Sequence, residues 1–236
     1  MIGESLQVLK DFAIMVIVMI SFFILLRRIT NIPGYIFRKM LHMIAVFAII
    51  PILYGTESWT ASLSFVLVLI VLIVIILSLV ERFSFYKAFF VEKEKHEVVT
   101  SFVLLFSMIA FFIVVFWGIL GEEFKYIPVV ATMSWGPGDA MAAIIGITYG
   151  KKKLSGKWIE GTKSVEGCVA MALTSILCTS VSLYLIGPYD LMVIIPVSIV
   201  IGIIAMFVEL FTKRGLDTIT VPLVSSVLLF IINLLA

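Results

Sequence analysis

Residues 134–163 read S-W-G-P-G-D-A-M-A-A-I-I-G-I-T-Y-G-K-K-K-L-S-G-K-W-I-E-G-T-K. This stretch puts an aspartate, Asp139, in the middle of an apolar segment and then opens into a loop with five lysines. Ionisable residues are expensive inside a membrane span and mark a functional site there by default. We therefore expect the chemistry of the chain to lie in this stretch, with the other segments serving as its scaffold.

The composition is that of a membrane protein. Of the 236 residues, 62% are hydrophobic and 14% are charged, and the mean hydropathy is +1.23. Soluble domains are about 45–50% apolar and about 25% charged. We predict a polytopic membrane protein, and the length permits a single integral membrane domain over residues 1–236. The lysines lie in short loops between apolar spans, so no run predicts nucleic-acid binding.

A membrane helix needs about 20 largely apolar residues. Eight stretches meet this requirement: Leu6–Leu26, Met40–Tyr54, Trp59–Val80, Val98–Leu120, Ile127–Tyr149, Val165–Ile186, Leu191–Phe211 and Thr218–Leu235. The second is short, and we expect it to borrow 36–39 as an interfacial turn. The fifth is interrupted by Trp135-Gly136-Pro137-Gly138. The predicted fold is an all-α membrane helix bundle of about eight transmembrane helices with a broken fifth span.

The basic residues divide sharply between alternate loops. One set of loops carries 15 of the 17, namely Arg27, Arg28, Arg38, Lys39, Arg82, Lys87, Lys93, Lys95, Lys151, Lys152, Lys153, Lys157, Lys163, Lys213 and Arg214, and the other set only Lys10 and Lys125. Lysine and arginine are enriched in cytoplasmic loops. We expect the lysine loops in the cytoplasm, both termini on the opposite side, and a first span that is retained rather than cleaved.

Asp139 follows a Gly-Pro-Gly break. Glycine and proline break a helix, so we expect Asp139 to begin a new half-helix, Ala140–Tyr149. Irregular backbone at membrane depth is tolerated only where it is buried in protein or lines a watery cavity. The break and the acid together predict a cavity. The alternative is a plain N-cap carboxylate in a kinked helix.

Two further acids fall near the same predicted membrane face. Glu209 lies four residues before Lys213, so a local ion pair is the ordinary interpretation. Asp217 begins the last span, where an acid at a helix start is also ordinary. Together with Asp139, however, they form a set of hard oxygen ligands that suits Mg²⁺ with substrate phosphates. We predict Asp139, Glu209 and Asp217 as metal ligands.

Basic residues supply candidates for phosphate binding. Arg38, Lys39 and His42 form R-K-x-x-H at the start of the second span, and positions 38 and 42 share a helix face. Arginine offers phosphate a planar fork and lysine a point charge. Topology anchors and a core histidine are the alternatives.

Further candidates lie around the lysine loop. Lys163 and Glu166 are three residues apart, which also allows a local ion pair. Lys151 is most simply an interfacial side chain, although it can also meet a phosphate. Gly146 to Lys151 has the wrong spacing for a P-loop, and no hydroxyl follows the lysine. The free cysteines Cys168 and Cys178 lie in one apolar segment and behave as small hydrophobes.

The chain resembles the CTP-dependent lipid kinases, the dolichol, phytol and polyprenol kinases, a group that is similar to the phosphatidate cytidylyltransferases. The resemblance covers most of the second span and everything after residue 134, which places the implied core at about 36–54 and 127–236. It rests on four motifs in the family's order: R-K-x-x-H (Arg38, Lys39, His42), G-D-A-M-A-A-I-I-G-x-x-Y-G-K (Gly138, Asp139, Gly146, Lys151), K-S-V-E-G (Lys163, Glu166) and E-x-x-x-x-R-G-x-D-T-x-x-V-P-L (Glu209, Arg214, Asp217). Thr218 stands where the family often has asparagine.

The resemblance implies transfer of the γ-phosphate of CTP to an isoprenoid alcohol, with Mg²⁺ as cofactor, at the cytoplasmic face of a plasma or ER-type membrane. We expect Asp139, with Glu209 or Asp217, to hold Mg²⁺, and Arg38, Lys39 and Lys163 to take up phosphate charge. The other motif residues implied to bind the nucleotide or its phosphates are His42, Gly138, Gly146, Lys151, Glu166 and Arg214. One carboxylate accepts the alcohol proton, with Asp139 the first candidate and Glu209 the second. A homo-oligomer is allowed for.

Three other functions stay open from the sequence. A diacylglycerol kinase differs only in its acceptor, and a cytidylyltransferase joins CMP to a phosphorylated lipid and releases pyrophosphate. A membrane transporter is the alternative of another class, because broken helices with acids near the midplane occur there too.

Overall fold

The computed structural model describes residues 2–30, 32–82, 97–159, 163–213 and 215–235. In these ranges the chain is helical, with no extended strand. It forms two compact units, unit 1 (Met1–Glu122) and unit 2 (Glu123–Ala236). Unit 2 corresponds closely to the 127–236 part of the predicted core, whereas residues 36–54 lie in unit 1. The single domain predicted over residues 1–236 stays a prediction.

Unit 1 is built from apolar helices. Those within its described residues are α1 (Ile2–Ile29), α2 (Gly34–Phe47), α3 (Ile49–Tyr54), α4 (Trp59–Val80) and α5 (Glu97–Phe112), and α5 continues as a π-helix, Ile113–Ile119. α4 packs on α5 and its π-helical extension, and α1 packs on α2. Ser58 caps α4, because its Oγ accepts a hydrogen bond from Ala61 N at 3.3 Å.

Unit 2 is a four-helix arrangement. Its helices are α6 (Tyr126–Thr148), α7 (Val165–Ile186), α8 (Leu191–Phe211) and α9 (Asp217–Leu235). α6 and α8 each pack against both α7 and α9. Ser164 caps α7 by accepting a hydrogen bond from Gly167 N at 3.2 Å. Gly215 has a φ of 71°, a left-handed conformation that suits glycine in the short turn before α9.

Six helical segments within the described ranges are long and apolar enough to cross a membrane: Gly34–Tyr54, Trp59–Val80, Val98–Ile119, Val165–Ile186, Leu191–Phe211 and Asp217–Leu235. They coincide with six of the predicted spans, which supports an integral membrane protein. The predicted short second span begins earlier than expected, with α2 at Gly34. Only Ala48 lies between α2 and α3, so the two helices form one segment.

The other two predicted spans are helices that do not meet the same test. Leu6–Leu26 lies within α1, whose apolar part Phe12–Arg27 is shorter than a full span. Ile127–Tyr149 corresponds to α6. The hydropathy of this helix is lowered by Asp139, Pro137 and three glycines. The all-α membrane-type architecture is therefore confirmed, but the count of eight transmembrane helices is not.

The prediction that the fifth span is broken is wrong. α6 is one continuous helix from Tyr126 to Thr148, with Pro137 inside it. Asp139 therefore lies in the body of the helix, and the predicted half-helix Ala140–Tyr149 with its own N-terminus does not form. The cavity that we inferred from the break loses its basis, and so does the alternative interpretation of Asp139 as an N-cap.

Hydroxyl groups from neighbouring helices surround the proline. Pro137 has no N–H to donate to Met133 O, four residues before it, and Ser175 Oγ on α7 donates to the next carbonyl, Ser134 O, at 2.5 Å. Ser134 Oγ lies 2.8 Å from Ala131 O and 3.2 Å from Ser225 Oγ on α9. Proline is tolerated in a buried helix where adjacent helices and serine side chains satisfy the freed backbone groups. Residues 126–136 of α6 are all buried, so side chains of neighbouring helices surround this part of α6.

Glycines set the close approach of the unit 2 helices. A Cβ added at Gly146 would lie 3.2 Å from Ser164 Oγ and 3.6 Å from Gly167 Cα. Gly146 therefore lets α7 approach α6 closely. A Cβ at Gly202 of α8 would lie 3.0 Å from Ala172 O and 2.9 Å from Ile176 N on α7.

Replacing Gly202 by alanine should destabilise unit 2. Alanine in a helix interior normally gains about 1 kcal/mol over glycine, but here the added methyl meets backbone atoms, which move little. Overpacking costs about 1–3 kcal/mol. We expect Gly202→Ala to lower the midpoint of thermal unfolding in detergent.

Gly156→Ala is the matched control, because the nearest atom to its added Cβ is Ile159 Cδ1 at 3.6 Å. That variant should unfold at the wild-type temperature. A Gly202→Ala protein as stable as wild type would show that α7 and α8 are not packed as closely as described.

Candidate functional site

Unit 2 gathers all of its lysines except Lys125 at one end. The loop 150–164 joins α6 to α7, and it is held by hydrogen bonds from Leu154 N to Lys163 O at 2.9 Å and from Val165 N to Lys152 O at 3.0 Å. The turn between α8 and α9 meets this loop, because Lys213 Nζ donates to Lys157 O at 2.8 Å. We call the loop 150–164 together with the turn 212–216 the lysine end of unit 2.

An indole and a carboxylate meet near this end. Trp135 of α6 is fully buried, and its Nε1–H donates to Oδ2 of Asp217 at 3.2 Å. Asp217 is the first residue of α9, where a carboxylate is favoured by the helix dipole. The hydrogen bond therefore links the middle of α6 to the start of α9 and orients the carboxylate of Asp217.

Asp139 lies on the helix face that carries Trp135. The two residues are four positions apart, about 6 Å along the axis, and residues at this spacing share a face. Asp139 is half-buried, and it lies on the side of Trp135 nearer to the lysine end. Asp139 thus lies one helical turn from Trp135, the residue whose indole contacts Asp217.

Glu209 is held differently, by a lysine. Lys163 Nζ lies 2.9 Å from Glu209 Oε1, and their side chains are 15% and 12% exposed. The same ammonium donates to Glu209 O and, at 3.4 Å, to Thr212 O. The ammonium group of Lys163 therefore donates to the carboxylate of Glu209 and to the last carbonyls of α8. A cation at a helix C-terminus is stabilising, because it satisfies these carbonyls and interacts favourably with the helix dipole.

These contacts differ from the local pairs that the sequence allowed. Lys163 contacts Glu209 rather than Glu166, whose two carboxylate oxygens instead accept from Lys152 N at 3.3 Å each. Lys213 contacts Lys157 O and lies 5.9 Å from the ring of the exposed Trp158. The long-range contacts prevail because the loop 150–164 folds back over the end of α8.

The two glycines predicted to bind phosphate have packing roles. A Cβ at Gly138 would lie 2.6 Å from both Met171 Sδ and Ser175 Oγ. Gly146, as described above, lies against α7. Lys151 is exposed in the loop, while its neighbour Lys153 donates to Gly146 O at 3.2 Å and so caps the end of α6. Lysine contacts with helix ends are thus a recurring feature of this end of unit 2.

The R-K-x-x-H residues belong to unit 1. Arg38, Lys39 and His42 lie on α2, with Arg38 and His42 one turn apart on one face. All three are half-buried. Arg214, the remaining predicted phosphate ligand, lies outside the described residues. The contribution of these four residues to nucleotide binding stays a prediction.

The donor set can be compared with what Mg²⁺ requires. Within the part of the chain that the structure describes, no three or more His, Cys, Asp and Glu residues cluster closely enough to hold a metal ion. Mg²⁺ usually takes one or two protein carboxylates and completes its shell with water and substrate phosphates. Asp217, oriented by Trp135, is a carboxylate of the kind that Mg²⁺ takes, and Asp139 lies one turn from that tryptophan, whereas Glu209 faces an ammonium group.

Trp135 is the site residue that sequence reasoning missed as a functional partner. A buried tryptophan nearly always places its N–H on an acceptor, and Trp135 precedes Asp139 by one turn. That spacing alone marked a polar face on α6. The identity of the acceptor, Asp217, required the packing of α9 on α6.

The pairing of Lys163 with Glu209 should be measurable as a stability coupling. Removing one partner of a buried ion pair costs about 3–5 kcal/mol, because the other charge stays buried and uncompensated. We expect Lys163→Met and Glu209→Gln each to lower the thermal unfolding midpoint clearly, and the double variant to lose much less than their sum.

Lys152→Met serves as the control, since this exposed lysine contacts Glu166 through its backbone rather than its ammonium group. It should leave the midpoint unchanged. Strictly additive losses in the double variant would show that the two charges do not interact in the folded protein.

Comparisons of this chain with protein-family models, with curated proteins and with solved structures found no match in any of the three. What the site can do is therefore derived from the carboxylates, the indole and the lysines described above.

Proposed function

We propose that the protein is a CTP-dependent lipid kinase that transfers the γ-phosphate of CTP to an isoprenoid alcohol. The observation that supports this most directly is the hydrogen bond from Trp135, one turn before Asp139, to Asp217 near the lysine end of unit 2. Asp139 and Asp217 belong to two of the motifs that resemble the lipid kinases. The contact between α6 and α9 at Trp135 and Asp217 is independent of that resemblance.

Phosphoryl transfer demands positioning and charge neutralisation more than covalent chemistry. Asp139 and Asp217 would hold Mg²⁺, and the indole N–H of Trp135 would orient the carboxylate of Asp217. When bound, the metal neutralises charge on the triphosphate. A hydrogen bond to a metal ligand, such as that from Trp135 to Asp217, orients the ligand and tunes its affinity for the metal. The lysines at this end add a positive field that favours an anionic nucleotide.

The reaction needs an acceptor for one proton. As the alcohol oxygen forms its bond to the γ-phosphorus, the bond from that phosphorus to the β-bridging oxygen breaks, and CDP leaves. Asp139 is our candidate for the carboxylate that takes the hydroxyl proton, because a positioned carboxylate commonly serves as general base. Glu209 is the weaker candidate, since its carboxylate is already held by Lys163 at 2.9 Å.

Lys163 also takes a changed place in this proposal. Its ammonium group serves Glu209 and the end of α8, so we assign it a positioning role at the rim of the site. Arg38 and Lys39 remain our candidates for phosphate contacts. The lysine loops face the cytoplasm in this proposal, so that CTP enters from the aqueous side and the lipid from the bilayer.

The assay that tests the function also separates it from its rivals. Purified protein is incubated with γ-labelled CTP or ATP, Mg²⁺ and, in separate reactions, a prenol, diacylglycerol or phosphatidate as the acceptor. A labelled prenyl phosphate with release of CDP supports the proposal. Labelled phosphatidate points to the diacylglycerol kinase, and pyrophosphate to the cytidylyltransferase. Substrate flux in liposomes without nucleotide consumption points to a transporter. The broken helix that suggested a transporter is not found, because α6 is continuous.

Asp139→Asn should abolish turnover. The amide keeps the size of the side chain but cannot accept the alcohol proton or offer the metal a charge, and loss of a general base costs about 10²–10⁴-fold. We expect kcat to fall by at least the lower figure in the assay above, while the thermal unfolding midpoint stays near that of wild type.

Asp190→Asn is the matched control. Asp190 is exposed just before α8, at the opposite end of that helix from Glu209, and its side chain makes no cap hydrogen bond. It should keep wild-type activity. Full activity of Asp139→Asn would remove this residue from the reaction.

Trp135→Phe should act through Asp217. Phenylalanine retains the ring but removes the N–H that orients the carboxylate, and loss of such an outer-shell partner typically costs 10–100-fold in metal affinity or activity. We expect the Mg²⁺ concentration for half-maximal activity to rise by roughly this factor. Trp158→Phe, in the exposed part of the loop, should leave the Mg²⁺ dependence unchanged.

A further inference from the structure

Three of the four helices of unit 2 begin or end at its lysine end. α7 begins there at Val165, α8 ends there at Phe211 and α9 begins there at Asp217. All three helices are long and apolar enough to cross a membrane. The ends of spanning helices lie where the hydrocarbon of a bilayer meets its polar headgroups. We therefore expect the loop 150–164 and the turn 212–216 to lie at the level of the headgroups.

A tight turn presents Lys157 and Trp158 at the surface of this end. Ile159 N donates to Gly156 O at 3.1 Å, which closes the turn with Lys157 and Trp158 at its tip. The side chain of Trp158 is 67% exposed. An indole is favoured at the interface between lipid and water, because its ring is apolar and its N–H is polar. Trp158 thus has the exposure and the position of an interfacial tryptophan.

Two ammonium groups lie beside this indole. Nζ of Lys157 lies 5.8 Å and Nζ of Lys213 lies 5.9 Å from the centre of the Trp158 ring, which is within the range of an attractive contact between a cation and a ring. Lys213 Nζ also donates to Lys157 O at 2.8 Å, so the turn 212–216 is held against the tip of the loop. Two like charges brought together in this way attract an anion more strongly than either does alone.

The surroundings of these residues are cationic as well. The loop 150–164 contains five lysines and one acid, Glu160, which lies outside the described residues. Lys151 and Lys152 are exposed, as Lys157 is. Lysines at this level are attracted to a membrane surface that contains anionic lipids, and an ammonium group binds phosphate as a point charge.

The exposure of the two ammonium groups favours a lipid over a soluble anion. Ammonium groups that are open to water bind a free anion weakly, because solvent and salt screen their charge. A bilayer instead presents phosphate groups continuously at the level of the lysines. The ring of Trp158 can also lie against the hydrocarbon next to these phosphates, which a free anion does not offer.

We propose that Lys157, Trp158 and Lys213 bind the headgroup of an anionic phospholipid at the membrane surface. The two ammonium groups contact the lipid phosphate, and the indole lies at the boundary between the headgroup and the acyl chains. Phosphatidylcholine carries a cation of its own, which the two lysines repel, so the site prefers a lipid with a net negative charge. The site shares no residue with the metal site proposed above and does not depend on the reaction proposed there.

The test measures which lipid the protein retains. Purified full-length protein in detergent is supplied with phosphatidylglycerol and phosphatidylcholine at equal concentration, without nucleotide, and the bound lipids are counted by native mass spectrometry. We expect the wild type to prefer phosphatidylglycerol at least about tenfold. Lys157→Gln removes one ammonium group but keeps the carbonyl that Lys213 contacts, and it should lower this preference roughly fivefold. The double variant Lys157→Gln/Lys213→Gln should lower it further.

Lys152→Gln is the matched control. It removes the same charge from the same loop, at a residue that lies beside Glu166 rather than beside the indole, so it should keep the wild-type preference. Both single variants should unfold at the wild-type temperature, because each replaces an exposed side chain.

Four results would overturn the proposal. The first is equal retention of the two lipids by the wild type, and the second is an undiminished preference in Lys157→Gln. The third is an equal loss in Lys152→Gln and Lys157→Gln, which would show a diffuse cationic field in place of a site. The fourth is displacement of the lipid by inorganic phosphate beyond that caused by sodium chloride of equal ionic strength, which would assign the lysines to a soluble anion.

Discussion

A carboxylate inside an apolar helix bundle must be given hydrogen-bond donors or an opposite charge, because burying it alone is very costly. Unit 2 meets this constraint in two ways. Asp217 receives a neutral donor, the indole of Trp135, whereas Glu209 receives the full positive charge of Lys163. The hydrogen bond from the indole orients the carboxylate of Asp217 and links α6 to the start of α9. The ammonium group of Lys163 offsets the charge of Glu209 and joins the end of the loop before α7 to the end of α8.

Much of the helical architecture was predictable because it depends on local hydropathy. The six membrane-type segments coincide with predicted spans, since a run of about 20 apolar residues is a signal that needs no partner. The break at Gly136-Pro137-Gly138 was not predictable in the same way. The helix continues through this sequence in a buried setting where Ser175 and Ser225, from helices that follow later in the sequence, contact Ser134.

The candidate site was predictable in its residues but not in their contacts. The sequence selected Asp139, Asp217, Glu209 and Lys163, and it offered i, i+3 and i, i+4 partners for the last two. The observed partners are distant in sequence because the ends of helices leave carbonyls that need donors. Lys163 at the end of α8 and Lys153 at the end of α6 satisfy this requirement. Counting unsatisfied helix ends, rather than local charge pairs, is the rule that would have found them.

The continuity of α6 changes what the site requires. In a broken helix, the direction of Asp139 would depend on the geometry of the break, and nothing would relate it to Trp135. In a continuous helix, the angle between the two side chains is fixed by four residues of regular backbone. The hydrogen bond from Ser175 to Ser134 O thus has a consequence at a distance, because by supporting the helix through Pro137 it keeps Asp139 in register with the indole that holds Asp217.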